Sequence, residues 1–88
     1  MLNGNLFETR EQAGQICSGD EAIIQVEGGY ALMSWEQATL HMEAEAESLL
    51  LRGYHSYQID DMIAAFGFDR AHAESLSEIM ADMEEGLR

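Results

Sequence analysis

Apolar residues recur at helical spacing through the C-terminal half of the chain. The longest such stretch follows Ser34 and Gln37, whose spacing predicts a capping box, and it stops before Gly53, a residue that suits a helix C-terminus. One side of this stretch is apolar in every turn, which predicts a long central helix. That apolar side consists of Trp35, Ala38, Met42, Ala46, Leu49 and Leu50.

Two further helices are predicted after the central one. The first runs from about Tyr57 to Phe66 and ends at Gly67. The second is capped by Asp69 and runs over about residues 70–85. The C-terminal half is therefore predicted to be helical. The apolar positions of these two helices are Ile59, Met62, Ile63 and Phe66, and then Ala73, Leu76, Ile79, Met80 and Met83.

The N-terminal third begins with a short predicted helix. Thr9 and Gln12 have the spacing of a capping box, in which each side chain satisfies an exposed backbone N–H group of the other residue. The helix that they open should end near Cys17, because Ser18 and Gly19 follow it.

A β-hairpin is predicted next. Residues 22–27 are rich in β-branched side chains, Gly28-Gly29 suits a two-residue turn, and residues 30–33 form the returning strand. Leu6-Phe7 can add a short first strand. The predicted fold class is α+β, a small antiparallel hairpin sheet packed by helices with a helical C-terminal half, and residues 1–88 are predicted to form a single domain.

The charge of the chain is its most unusual property. It has 17 acidic residues, four arginines and no lysine, so its formal net charge is −13. Such a charge argues against direct binding of nucleic acid, which needs a basic surface, and against an anionic membrane surface. The N-terminus lacks the pattern of a signal peptide, and no apolar run approaches the ~20 residues needed to span a bilayer. We expect a protein of the cytoplasm, or of the host cytoplasm if a phage encodes it.

The acidic residues form rows on two predicted helices. Residues 34–88 hold twelve acids and three arginines, against five acids and one arginine in residues 1–33. The row on the last helix falls within an arc of about 80° and runs for about 16 Å. Like charges one turn apart destabilise a helix, so nothing local favours this row. It consists of Glu74, Glu78, Asp82 and Glu85, and the row on the central helix consists of Glu36, Glu43 and Glu47.

An additional apolar strip lies on the central helix. Leu40, Ala44 and Leu51 fall opposite the main apolar side of that helix. A helix with two apolar strips is either enclosed by its own domain or presents one strip to a partner. We expect burial within the chain, and the alternatives are binding of a partner and homodimerisation.

The sequence carries no pattern typical of catalysis, metal binding or cofactor binding. The three histidines are isolated, and a buried structural thiol is the expectation for Cys17. His72 is expected at the boundary of the apolar side of the last helix. Asp60 and Asp61 lie in the first turn of a predicted helix, where the helix dipole stabilises acids. We therefore expect a protein that is not an enzyme and has no cofactor.

Two resemblances bear on function. The stretch Phe66-Gly67-Phe68-Asp69-Arg70-Ala71-His72-Ala73-Glu74-Ser75-Leu76 resembles the turn between two helices of ubiquitin-associated domains, and we take it as a shared way of joining helices. In size, charge and α+β build, the whole chain resembles the small acidic proteins that phages and other mobile elements use against host defences. Those include anti-CRISPR and anti-restriction DNA mimics, a group without a shared motif.

The charge and this resemblance together give the leading hypothesis. The protein would be a stoichiometric inhibitor whose acidic helix faces occupy a basic nucleic-acid-binding surface of a host defence complex. Its partner would be a basic nucleic-acid-binding protein, not nucleic acid itself and not a membrane. The alternative is a non-enzymatic interaction module, antitoxin-like or an adaptor, that binds through the apolar strip.

Overall fold

The α+β class is confirmed by the computed structural model, which describes residues 6–86. Within that range the chain forms four helices and one two-stranded antiparallel sheet. It divides into two compact units, Met1–Thr39 and Leu40–Arg88, which are described separately below. The central helix α2, Trp35–Leu51, begins in the first unit and continues into the second. The single domain predicted from the sequence stays a prediction.

The first unit opens with helix α1, Arg10–Ile16, at the predicted position. The Thr9 Oγ1 atom accepts a hydrogen bond from the Gln12 backbone N–H at 3.1 Å, as a capping box requires. The Gln12 Oε1 atom, however, accepts from the backbone N–H of Glu8, at 3.0 Å. The Gln12 side chain therefore bonds the backbone of Glu8, the residue before the N-cap, and not that of the N-cap residue Thr9.

The hairpin consists of β1, Glu21–Val26, and β2, Gly29–Ser34. Val26 pairs with Gly29, so the two turn residues are Glu27 and Gly28, and the predicted turn was wrong by one position. Gly29 has φ +154°, and a Cβ atom on it would overlap the carbonyl oxygen of Phe7. Phe7 approaches closely because it forms an isolated bridge with Tyr30, with both N–O distances at 2.8 Å. The predicted first strand is thus reduced to a single bridge.

Helix α2 follows the hairpin directly. The Gln37 backbone N–H donates to Ser34 Oγ at 3.2 Å, which confirms the predicted N-terminal cap. Trp35 does not lie on the buried side as expected, since it is 59% exposed and its Nε1–H donates to the Gly19 carbonyl at 3.2 Å. The indole is large and its N–H needs a partner, which this edge position supplies. The remaining apolar side is buried at Ala38, Met42, Ala46 and Leu49.

The second unit adds α3, Ile59–Phe66, and α4, Arg70–Gly86, to the rest of α2. Gly67 adopts the left-handed conformation that ends α3, and the Asp69 carboxylate accepts the His72 backbone N–H at 2.8 Å to begin α4. Tyr57 lies outside α3 and is 79% exposed, so the predicted start of this helix was two residues early. The largest fully buried side chains of this unit are Met62, Leu76 and Met80.

Candidate interaction surface

The acidic row of α4 lies on the exposed side of the helix. All four of its carboxylates are exposed, and the buried side chains of α4 lie on the opposite side. Glu74 is 3.9 Å from the Arg70 guanidinium. Among residues 6–86, no hydrogen bond or ion pair reaches the carboxylates of Glu78, Asp82 or Glu85. The row therefore presents three carboxylates that this part of the chain leaves uncompensated.

The acidic row of α2 is also exposed. Glu43 and Glu47 belong to the second unit and Glu36 to the first, and none of their three carboxylates forms a hydrogen bond or ion pair with a residue in the described range. Each row faces away from the buried side chains of its own helix. The structure thus has two acidic rows, one on each helix.

The apolar strip of α2 is exposed, and the expectation that it is buried within the chain was wrong. Leu40 is 63% exposed, Leu51 is 83% exposed, and Ala44 between them is exposed as well. On the opposite side of the helix, Met42 is 6% exposed and Ala46 is fully buried. The helix therefore buries one apolar side and leaves the other in contact with solvent.

A hydrogen-bonded network around Glu84 joins α4 to the loop before α3. The Ser56 hydroxyl donates to Glu84 Oε1 at 2.8 Å and the Ser56 backbone N–H donates to Oε2 at 3.3 Å. The His55 Nδ1 atom lies 3.1 Å from the same Oε2. The hydrogen bond from the Ser56 hydroxyl, with smaller contributions from His55 and the Ser56 backbone, lowers the pKa of Glu84. Because Ser56 and Glu84 are 28 residues apart, no local sequence spacing indicates this network.

A contact between His72 and Glu45 joins α4 to α2. The His72 Nε2 atom lies 2.8 Å from Glu45 Oε1, and the imidazole packs edge-on against the Phe68 ring at 4.8 Å. His72 is only 2% exposed, so its predicted place at the boundary of the apolar side was wrong. Burial is tolerated because the carboxylate satisfies the ring nitrogen. This contact has a structural role.

The carboxylate pair Asp60 and Asp61 is engaged by neighbouring side chains. Asp60 pairs with Arg70 at 2.9 Å, and Asp61 accepts a hydrogen bond from Gln58 Nε2 at 3.1 Å. A cleft of about 490 Å³ lies beside them, and its walls contain no serine, cysteine or histidine. The lining residues are Tyr57, Gln58, Ile59, Asp60, Asp61 and Arg70.

The remaining side chains with possible chemical roles are Cys17 and the potential metal ligands. Cys17 is half-buried, not fully buried as expected, and its thiol donates at 3.3 Å to the carbonyls of Ser18 and Glu21. Within residues 6–86, no three His, Cys, Asp or Glu side chains are grouped closely enough to hold a metal ion. The helices of the same range do not combine the length and apolar composition that crossing a bilayer requires.

Comparison with protein-family models, with curated proteins and with solved structures found no match to this chain. The two acidic rows and the apolar strip are therefore the features of this chain that bear on its function.

Proposed function

We propose that this protein is a stoichiometric inhibitor that binds, through its acidic helix faces, to a basic nucleic-acid-binding surface of another protein. The observation that carries the proposal is the α4 row, where Glu78, Asp82 and Glu85 are exposed on one side of a helix without a cationic partner among the described residues. A row that repels itself is costly to the fold, and a partner rich in Arg or Lys removes that cost.

The spacing of the carboxylates in the α4 row determines the charge density that this row presents to a partner. Carboxylates four residues apart on a helix are about 6 Å apart along its axis, whereas one strand of DNA carries a charge about every 3.4 Å. The row thus has a little over half the charge density of one strand. The α4 row speeds association with a basic surface, but tight binding also needs apolar contacts close to the charges. Glu43 and Glu47 of the α2 row lie beside the exposed apolar strip, which offers apolar surface for such contacts.

The proposed target is a host defence complex, such as a CRISPR effector or another defence nuclease. The small size, the acidic charge and the α+β fold of this chain support that choice, because phage inhibitors of this type share them. Nucleases of this kind bind nucleic acid through basic channels, which an acidic protein can occupy.

A second candidate function is favoured by the exposed strip on α2. Leu40 and Leu51 present apolar surface to solvent, which is typical of a site for another protein. In this version the protein is a non-enzymatic interaction module, antitoxin-like or an adaptor, and the acids serve solubility. Salt separates the two functions, because screening weakens contacts between charges and leaves apolar contacts in place.

The test is a pull-down from bacterial lysate with the wild-type protein and with an amide variant, Glu74→Gln, Glu78→Gln, Asp82→Asn and Glu85→Gln. The proposal predicts a nucleic-acid-binding partner that is retained by the wild type, lost by the variant, and released by added DNA or by high salt. A partner that both proteins retain at high salt, and that has no nucleic-acid site, would contradict inhibition by charge and support the interaction module.

A further inference from the structure

The outer side of α2 combines apolar and acidic residues in one continuous strip. Leu40, Ala44 and Leu51 fall within an arc of about 40°, and Leu40 and Leu51 are about 16 Å apart along the helix axis. Glu47 lies about 20° from Leu40 on the helix circumference, and Glu43 lies about 60° away on the same side. All five residues are exposed. We refer to these five residues as the α2 outer strip.

A second copy of this chain does not suit the α2 outer strip. Each copy carries a net charge of −13 and no lysine, and pairing two strips would bring Glu43 and Glu47 of both copies together. The arginines of this unit offer no relief, because Arg52 lies over the Phe66 ring at 5.7 Å and Arg70 pairs with Asp60 at 2.9 Å. Arg88 lies outside the described residues. A different chain, rich in Lys or Arg, would supply the complementary charge that a copy with a net charge of −13 lacks.

We infer that the α2 outer strip binds a cationic amphipathic helix of the target protein. The shape of the site indicates this partner, because two leucines about three turns apart on one side of a helix match the apolar ridge of another helix. Lys or Arg residues beside that ridge would pair with Glu43 and Glu47. The strip is about 16 Å long, which corresponds to about eleven residues of the partner helix.

This inference rests on the proposed function, since it assumes a basic target. It adds which kind of segment of the target is bound, a cationic amphipathic helix. The acidic row of α4 would attract the target over a distance, while the α2 outer strip would supply the apolar anchors. The two surfaces are on different helices, so they can be altered independently.

The test uses a defined synthetic peptide as the probe. It is an 18-residue amphipathic helix of leucine and lysine carrying a fluorescent label, and its binding is followed by anisotropy at low and at high salt. Two matched peptides serve as controls, one with glutamate in place of lysine and one with the same composition in scrambled order. We expect the amphipathic cationic peptide to bind at least about tenfold more tightly than the scrambled one, because only the former presents an apolar ridge.

Two protein variants locate the site. Leu40→Ser with Leu51→Ser keeps the net charge and should weaken binding at least about tenfold, since burial of two leucines is lost. Glu43→Gln with Glu47→Gln should weaken it about fivefold at low salt. The matched variant Asp20→Asn with Glu27→Gln removes the same charge from exposed positions outside both acidic rows and should change binding by less than about twofold.

Three results would overturn the inference. Unchanged binding by the double leucine variant would mean that net charge alone attracts the peptide. Equal losses from Glu43→Gln with Glu47→Gln and from the matched charge variant would mean that the site is not on α2. A wild-type dimer in sedimentation that the leucine variant converts to a monomer would assign the strip to a second copy. The peptide assay needs no nuclease, so its failure is distinct from failure of the inhibitor proposal, which the pull-down tests.

Discussion

Removing the charges of the α4 row should make the protein more stable, which is unusual for a change at four positions. The row contains three close pairs of like charge, and each destabilises the helix by about 0.2–0.5 kcal/mol. Asp82 and Glu85 also oppose the negative end of the helix dipole, at about 0.3–1 kcal/mol each. The opposing loss is the contact of Glu74 with Arg70, an exposed pair at 3.9 Å worth less than about 0.5 kcal/mol. The amide variant should therefore gain about 1–3 kcal/mol.

Thermal unfolding followed by circular dichroism measures this gain. For a chain of this size, each kcal/mol raises Tm by about 4–8 °C. The gain should be largest at low salt and should shrink at about 1 M salt, where the Debye length is about 3 Å. As a control, Asp20→Asn with Glu27→Gln removes two exposed acids that belong to neither row and should change stability by less than about 0.5 kcal/mol. If the amide variant were less stable than the wild type, or equally stabilised at both salt concentrations, repulsion within the row would not be the cause.

Three other predictions concern the contacts that hold each unit together. Glu45→Ala should destabilise the protein by about 1–3 kcal/mol in urea unfolding, because it leaves the buried His72 ring nitrogen without its partner. Ser56→Ala should lower the urea midpoint at neutral pH, because the folded pKa of Glu84 lies below its unfolded value and the ionised carboxylate is the form that Ser56 stabilises. The difference from the wild type should shrink as pH drops below about 4.5 in a pH series of urea midpoints. Gly29→Ala should lower Tm by several degrees, because its φ is positive and the Cβ atom would meet the Phe7 carbonyl.

Each of these three variants has a matched control. Glu47→Ala removes an exposed acid from the same helix as Glu45, and Ser75→Ala removes an exposed hydroxyl from α4. Gly19→Ala adds a methyl group where no atom lies within 4 Å. The controls should change stability by less than about 0.5 kcal/mol, apart from small gains of helix propensity. A control that lost as much stability as its partner would show that the named contact is not the cause.

Most of the fold could be predicted because its signals are local. The start of α4 at Asp69, the end of α3 at Gly67 and the cap of α2 at Ser34 each depend on residues within one helical turn. The turn was misplaced by one residue because adjacent glycines suit either register, and the bridge from Phe7 to Tyr30 fixes Gly29 as a strand residue. A contact between residues so far apart in the sequence has no local signal.

The candidate surface was predictable only in part, for the same reason. Helical periodicity alone placed the acids of α4 on one side, and the structure exposes all four. The burial expected for Leu40 and Leu51 failed because the pattern reveals two apolar strips but not whether another element covers the second. His72 and its partner Glu45 are 27 residues apart, so their pairing depends on how α2 and α4 pack.

The central claim is that this protein and nucleic acid compete for one basic surface. The direct measurement is fluorescence anisotropy of labelled DNA bound to the partner recovered in the pull-down, titrated with wild-type protein and with the α4 amide variant. The account predicts that the wild type displaces the DNA at about equimolar amounts, less effectively as salt rises, and that the variant does not. A stable ternary complex with DNA still bound, or equal displacement by the variant, would contradict it.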